Sequence, residues 1–271
     1  MTEVASLAAE LRDAYAARRT DVTPPSTRDP SFDLTAAYAV EAELARMRRA
    51  SGHHTVGRKV GFANKAVWRA LKLETLVWAH MYDDTVRRCV NGTASLPAPS
   101  MTSPKIEPEI VFKLNGAIAP DADAAAVLNA TEWIALGFEI IDCVFTDWKF
   151  QPADFVAAYG LHAALVVGDP LIVSPENASR LAEELPKFRV RLMKNGEVVA
   201  EGSGKNSLRS PALCVGELAA AIAKRSDAEP LAPGELISSG TLTDSQLIHA
   251  GETWRAEVEG IDLAPLTLTL G

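Results

Sequence analysis

Along the first fifty residues the apolar positions recur at helical intervals. Val4, Leu7, Ala8, Leu11 and Tyr15 share one face between Glu3 and Arg19, and Arg18 and Arg19 sit where a helix C-terminus favours positive charge. This spacing predicts an amphipathic helix. Pro24, Pro25 and Pro30 mark residues 20–31 as a loop. Asp33 or Thr35 then offers a cap for a second helix reaching about Ala50 and stopped at Ser51-Gly52, with Ala37, Tyr38, Val40, Glu41, Leu44 and Met47 supplying its two faces. Residues 1–54 read as an amino-terminal helical unit packed on the remainder, residues 55–271, which is β-rich.

From residue 55 the pattern shortens to strands. Apolar or β-branched runs occur at 55–62, 76–81, 85–90, 104–114, 138–141 and 161–168, and 188–194 and 197–201 flank Asn195-Gly196 as a hairpin with a type I′ turn. Asn91-Gly92 is a further turn. Helices are expected at 65–71, 121–133 and 178–185, and Ser210-Pro211 opens another that reaches Lys224. Strand markers at Ile237, Thr241, Trp254–Val258 and Leu266–Leu270 alternate with Gly234, Gly240, Gly251 and Gly260 at the end of the chain. Helices enter irregularly rather than in βαβ alternation, which predicts an α+β fold with a mainly β core and not a Rossmann fold or TIM barrel.

Composition narrows the partners. With 48% hydrophobic and 23% charged residues the chain is that of an ordinary globular protein, and its formal net charge of −8 disfavours nucleic acid. Cys89, Cys143 and Cys214 are odd in number and far apart, so neither a disulfide framework nor a cysteine zinc site is suggested, and a reducing cytoplasm fits best. Residues 1–20 lack the apolar core of a secretory signal, and no run approaches the roughly 20 apolar residues of a membrane span.

The chemistry gathers in Ile106-Glu107-Pro108-Glu109 and Phe138-Glu139-Ile140-Ile141. Glu107 and Glu109, two apart in a strand, leave the same face, and Glu139 is a lone carboxylate in an apolar run. Three such donors suit a hard divalent ion, Mg²⁺ or Mn²⁺. Alternatively, Glu107 and Glu109 are charges guarding an exposed edge, since Pro108 between them predicts an edge or bulged strand. In the segment Val56 to Phe62, Arg58 and Lys59 point to opposite sides. Either one faces inward, where a lysine is an acid–base candidate, or both are surface charges. His53-His54 reads as a solvated loop, His80 as a hydrogen-bonded core residue, and Gly202-Ser203-Gly204 is too short for nucleotide binding.

Taken together, Val56-Gly57-Arg58-Lys59-Val60-Gly61, Pro104-Lys105-Ile106-Glu107-Pro108-Glu109, Phe138-Glu139-Ile140-Ile141-Asp142 and Ser239-Gly240-Thr241-Leu242-Thr243 resemble the fumarylacetoacetate hydrolase superfamily. The similarity is greater to its branch of 2-oxopent-4-enoate hydratases and 4-oxalocrotonate decarboxylases of aromatic meta-cleavage pathways. The resemblance implies a mixed β-sandwich roll, with residues 55–271 as the catalytic domain, in which Glu107, Glu109 and Glu139 hold Mg²⁺ or Mn²⁺. It implies Lys59 as the proton-transfer or charge-stabilising residue, and Arg58, Gly240 and Thr241 as contacts to a small anionic 2-oxo acid. Where that branch has an Asp before Met81 and a polar Asp-Asn-Ala-Ser type segment later, this chain has His80 and His162, a candidate acid–base pair. The implied activity is that of a lyase, by hydration of a 2-hydroxy-dienoate or decarboxylation of a 2-oxo-enedioate. A C–C hydrolase of acylpyruvate type and a non-catalytic ligand-binding member stand as alternatives. A cytoplasmic homo-oligomer is the expected setting.

Overall fold

The computed structural model describes residues 3–97 and 101–271. The amino-terminal helices are α1 (Glu3–Ala16) and α3 (Leu34–Ala50), with a single turn, α2 (Pro25–Arg28), in the proline loop. Asp33, not Thr35, caps α3, its carboxylate accepting the Ala36 N–H where the helix dipole also favours negative charge. The other helices are α4 (Lys65–Leu71), α5 (Ala124–Asn129), α6 (Pro152–Ala157), α7 (Ala178–Glu184) and α8 (Pro211–Ala223). α3 packs on α1 and α6. The Asp154 carboxylate of α6 accepts both the N–H and the hydroxyl of Ser26, which fastens the proline loop to the later chain.

Fourteen strands form two sheets among the described residues. The larger contains β1 (Thr55–Gly61), β2 (Val77–Tyr82), β3 (Val86–Arg88), β5 (Lys105–Leu114), β6 (Thr131–Ile141), β7 (His162–Val167), β8 (Leu171–Ile172), β11 (Leu236–Ser238) and β12 (Gln246–Leu247). Its order is β2-β1-β11-β5-β6-β7-β3, with β12 also on β5 and β8 also on β6. The smaller runs β10-β9-β13-β14-β4, from β4 (Thr93–Leu96), β9 (Arg189–Lys194), β10 (Glu197–Ser203), β13 (Thr253–Glu259) and β14 (Leu266–Leu270). Most pairs are antiparallel, whereas β1–β11, β3–β7 and β4–β14 are parallel. This is a mixed-sheet α+β fold with no βαβ alternation. At the β9–β10 turn both Asn195 and Gly196 have positive φ, as a type I′ hairpin requires.

Three local expectations are corrected. The helix expected at 121–133 is only α5, because Thr131 already starts β6 and the β-branched and aromatic residues that follow favour a strand. Ser210 precedes Pro211 as expected, yet its buried hydroxyl caps nothing and has no hydrogen-bond partner among the described residues. β5 is not an edge strand: β6 pairs along its whole length, with β11 and β12 on its other side. Pro108 sits between those two short partners, where its carbonyl accepts the Leu242 N–H and its missing donor disrupts no ladder.

Register then decides the faces. Lys59 lies beside Ser238 and Ala79, while Arg58 lies beside Ile237 and His80. Lys59, Glu107, Glu109 and Glu139 therefore share one face, and Arg58 and His80 occupy the other. The close parallel approach of β1 and β11 depends on Gly57, where an added Cβ would stand 1.8 Å from the Leu236 carbonyl oxygen. Gly57→Ala is expected to destabilise the fold by at least about 2 kcal/mol through forced separation of these strands, measurable as a lower urea midpoint; an unchanged midpoint contradicts this account.

Candidate functional site

Glu107 and Glu139 are direct cross-strand neighbours, and Glu109 follows one pleat on, opposite Gly137. One carboxylate oxygen from each of the three lies within 4.8 Å of the others. Glu109 and Glu139 are fully buried, and Glu107 opens into a cavity of about 860 Å³. Glu109 Oε2 accepts the Ser238 hydroxyl and, at 2.9 Å, the Gly240 N–H. Its Oε1 is buried without a hydrogen-bond partner among the described residues. Lys59 Nζ stands 2.8 Å from Glu139 Oε2, and His162 Nδ1 is 3.0 Å from Glu139 Oε1. Gly160, at positive φ, leaves room for the Lys59 stem: a Cβ there would meet it at 2.8 Å.

These charges set one another. Burial raises the Glu109 carboxyl well above the usual range, and Glu139 and Glu107 add to it. Burial likewise pushes Glu107 up to about 7, against the pull of Lys59. Burial would raise Glu139 too, but Lys59 and His162 hold it below its ordinary value. For Lys59, burial alone disfavours the ammonium, yet the three carboxylates, Glu139 foremost, lift it above the usual lysine range. Fully ionised, the three carboxylates would outnumber the one ammonium, which is why Glu107 and Glu109 are pushed toward their protonated forms, and Glu109 Oε1 is a buried acceptor without a donor among the described residues. A hard dication fits both features, because carboxylate oxygens are its preferred ligands and its charge favours their ionised forms.

The comparisons with known proteins bear on the same residues. Residues 57–267 match the family described as fumarylacetoacetate (FAA) hydrolase, C-terminal. The chain belongs to that family. It is 31% identical to a 2-hydroxypent-2,4-dienoate hydratase of Pseudomonas putida over 219 residues, 80% of this chain and 95% of the relative. It is 26% identical over 268 residues to a 2-keto-4-pentenoate hydratase of Burkholderia vietnamiensis, covering 98% and 97% of the two chains. Among solved structures it is similar to 4-oxalocrotonate decarboxylase from Pseudomonas putida G7 complexed with magnesium and adipate, with a TM-score of 0.88, 25% identity and coverage of 99% and 97%.

Within this fumarylacetoacetate hydrolase fold, the residues singled out by sequence divide sharply. Lys59, Glu107, Gly240 and Thr241 line the large cavity, beside Phe62, Trp148, Phe150 and Phe155. The Gly240 N–H is occupied by Glu109, so it is not a free donor for a substrate. The Thr241 hydroxyl donates to the Thr243 carbonyl at 2.8 Å. Arg58 does not reach the cavity: its guanidinium is paired with Glu235 at 2.9 Å and stacks over Trp78 on the opposite face. His80 is there as well, with Nδ1 2.7 Å from Glu41 Oε1. Burial alone would raise Glu41, but His80 and Arg58 hold it low. His162 is bracketed by Glu139 and by Thr85 Oγ1, 2.9 Å from its Nε2, and lines a separate cavity of about 410 Å³. The two histidines thus do not form an acid–base pair, because alternation along β2 and the turn into β7 deliver them to different surroundings. Ser238 and Glu41 were missed as site and partner residues. Each is an ordinary polar position in sequence, and only strand register and helix docking reveal its role.

Two outcomes are expected. Binding of Mg²⁺, followed by calorimetry, tightens as pH rises through about 7, because Glu107 must release its proton first; affinity independent of pH between 6 and 8 contradicts this. Replacing His80 by Asn lowers thermal stability while kcat falls less than about tenfold, against the 10²–10⁴ typical of a lost acid–base group. A loss of that larger size with the fold intact returns His80 to the chemistry.

Proposed function

We propose that this chain is a divalent-metal-dependent lyase acting on small 2-oxo or 2-hydroxy-dienoate acids, by hydration or decarboxylation. The observation that carries the reading is the cluster of Glu107, Glu109 and Glu139, which opens to the cavity through Glu107 and has the Lys59 ammonium against it. Hydratases of pentenoate and pentadienoate acids among the relatives, and magnesium in the similar decarboxylase structure, support it. The three glutamates would hold Mg²⁺ or Mn²⁺, which when bound supplies a concentrated positive charge beside a substrate's 2-oxo acid end. Lys59 holds a proton at Nζ, stabilises negative charge developing in the substrate and delivers that proton. Its ammonium, 4.9 Å above the Phe155 ring, is oriented by Glu139, which His162 braces from behind. Phe62, Trp148 and Phe150 exclude water along the apolar side, and Thr241 borders the acid end.

An acylpyruvate-type hydrolase needs a base to activate water, a role open to His80 or His162 only if one of them reached the cavity. Neither lines the large cavity, so the lyase reading stands first. Residues 1–54 act as a helical unit on a catalytic domain of residues 55–271, and the active species is a cytoplasmic homo-oligomer. No helix among the described residues is long and apolar enough to cross a membrane. Exposed Val198 and Val199 on β10, at the edge of the smaller sheet, offer an apolar surface for self-association.

Incubation with 2-hydroxypenta-2,4-dienoate and with a 2-oxo-enedioate, each with Mg²⁺ or Mn²⁺, is expected to give hydrated or decarboxylated product from at least one. Glu107→Gln and Glu139→Gln each lower turnover by at least about 100-fold and abolish the rise in melting temperature on adding metal. Absence of turnover of every dienoate and enedioate removes the lyase reading. Turnover unaffected by the two substitutions removes the glutamates from the site.

A further inference from the structure

The cavity carries a second ammonium, Lys105, whose charge is felt by Glu107 but which forms no ion pair among the described residues. β5 sends Lys105, Glu107 and Glu109 to one face, since side chains two apart on a strand share a side. Their burial is graded: Glu109 is sealed, while Glu107 and Lys105 are only partly covered and line the cavity. The row therefore leads from the cavity floor outward. Successive positions on one face are about 6.6 Å apart, and an extended six-carbon chain spans about 6 Å between its terminal carbons. The Lys105 ammonium lies 4.0 Å from the centroid of the Trp148 ring and has no ion-pair partner among the described residues. Ile141 and Phe150 line the same cavity and suit a hydrocarbon middle.

We propose that Lys105 binds a second carboxylate at the distal end of the substrate, so that the site selects 2-oxo diacids over 2-oxo monoacids of equal length. The proposal rests on the reading that the glutamate cluster anchors a 2-oxo acid through its metal. An ammonium held over an aromatic face and half removed from water gains more from a carboxylate than a fully solvated lysine does. A monoacid places a methyl group there and leaves the ammonium unmatched, which is how a polar site rejects an analogue lacking its partner. Of the two lyase substrate classes, a 2-oxo-enedioate carries the second carboxylate and a 2-hydroxy-dienoate monoacid does not. Lys105 therefore favours the decarboxylation substrate.

Calorimetry with Mg²⁺ and two unreactive probes, 2-oxoadipate and 2-oxohexanoate, tests this. The wild-type protein is expected to bind the diacid about tenfold more tightly, the equivalent of one well-placed charge contact. Lys105→Gln brings that ratio close to one, and Lys105→Arg, which keeps the charge, preserves it. Equal binding of the two probes by the wild type overturns the proposal, as does a preference that survives Lys105→Gln. Lys205 also lines the cavity, so a preference abolished by Lys205→Gln and retained in Lys105→Gln overturns the assignment to Lys105. Failure of both probes to bind in the presence of Mg²⁺ overturns the 2-oxo acid reading and this proposal with it.

Discussion

Three carboxylates and one ammonium share a buried face of the larger sheet, and the arrangement of the surrounding chain follows from their charges. Glu107 and Glu139 are brought side by side by the β5–β6 register, while the parallel β1–β11 pair delivers Lys59 to the same face. Left as ionised groups in a low-dielectric setting, the carboxylates repel one another and lack water, so each needs a cation or a donor. Lys59 and His162 serve Glu139, Ser238 and Gly240 serve one oxygen of Glu109, and Glu107 faces the cavity. The remaining imbalance is what a divalent ion corrects. In the proposed reading, affinity for the metal and the reactivity of Lys59 are two aspects of one electrostatic arrangement.

β1 carries a second charge system on its other face. Arg58 and Lys59 are adjacent and both are almost completely buried, at 2% and 1% exposure, which requires separate partners on opposite sides of the sheet. Arg58 finds Glu235, and its cross-strand neighbour His80 finds Glu41 on α3. The second system ties the amino-terminal helices to the sheet that holds the first. Removing one partner of such a pair leaves an uncompensated buried charge, so this region constrains the fold without entering the cavity.

Family membership and geometry reinforce each other at modest identity. The match to the fumarylacetoacetate hydrolase C-terminal family covers residues 57–267, which includes Lys59 and the rest of the site strands β1 to β12 apart from the first two residues of β1. A TM-score of 0.88 at 25% identity means that a common backbone is maintained by different packing residues. In this chain Lys105, Trp148 and Phe150 line the cavity beside the site strands.

Local pattern in the sequence determined the longer helices α1, α3 and α8, the Asn195-Gly196 hairpin, the α+β class and the shared face of Glu107 and Glu109, because each depends on neighbours two to four residues apart, while α2 and α6 went unmarked and α5 proved shorter than expected. It also placed Arg58 and Lys59 on opposite sides, while leaving open which side mattered and whether both were buried. It could not give β5 its interior position, since a proline reads as an edge signal unless the gap between β11 and β12 is known. Nor could it separate His80 from His162. Their partners, Glu41 and Glu139, lie 39 and 23 residues away, and a histidine's role is set by what the folded chain brings to its two nitrogens. Sequence thus determined which groups were available and the direction of the strand residues, whereas strand order and helix docking decided which charges meet, because burial makes every charge depend on a partner that only long-range packing supplies.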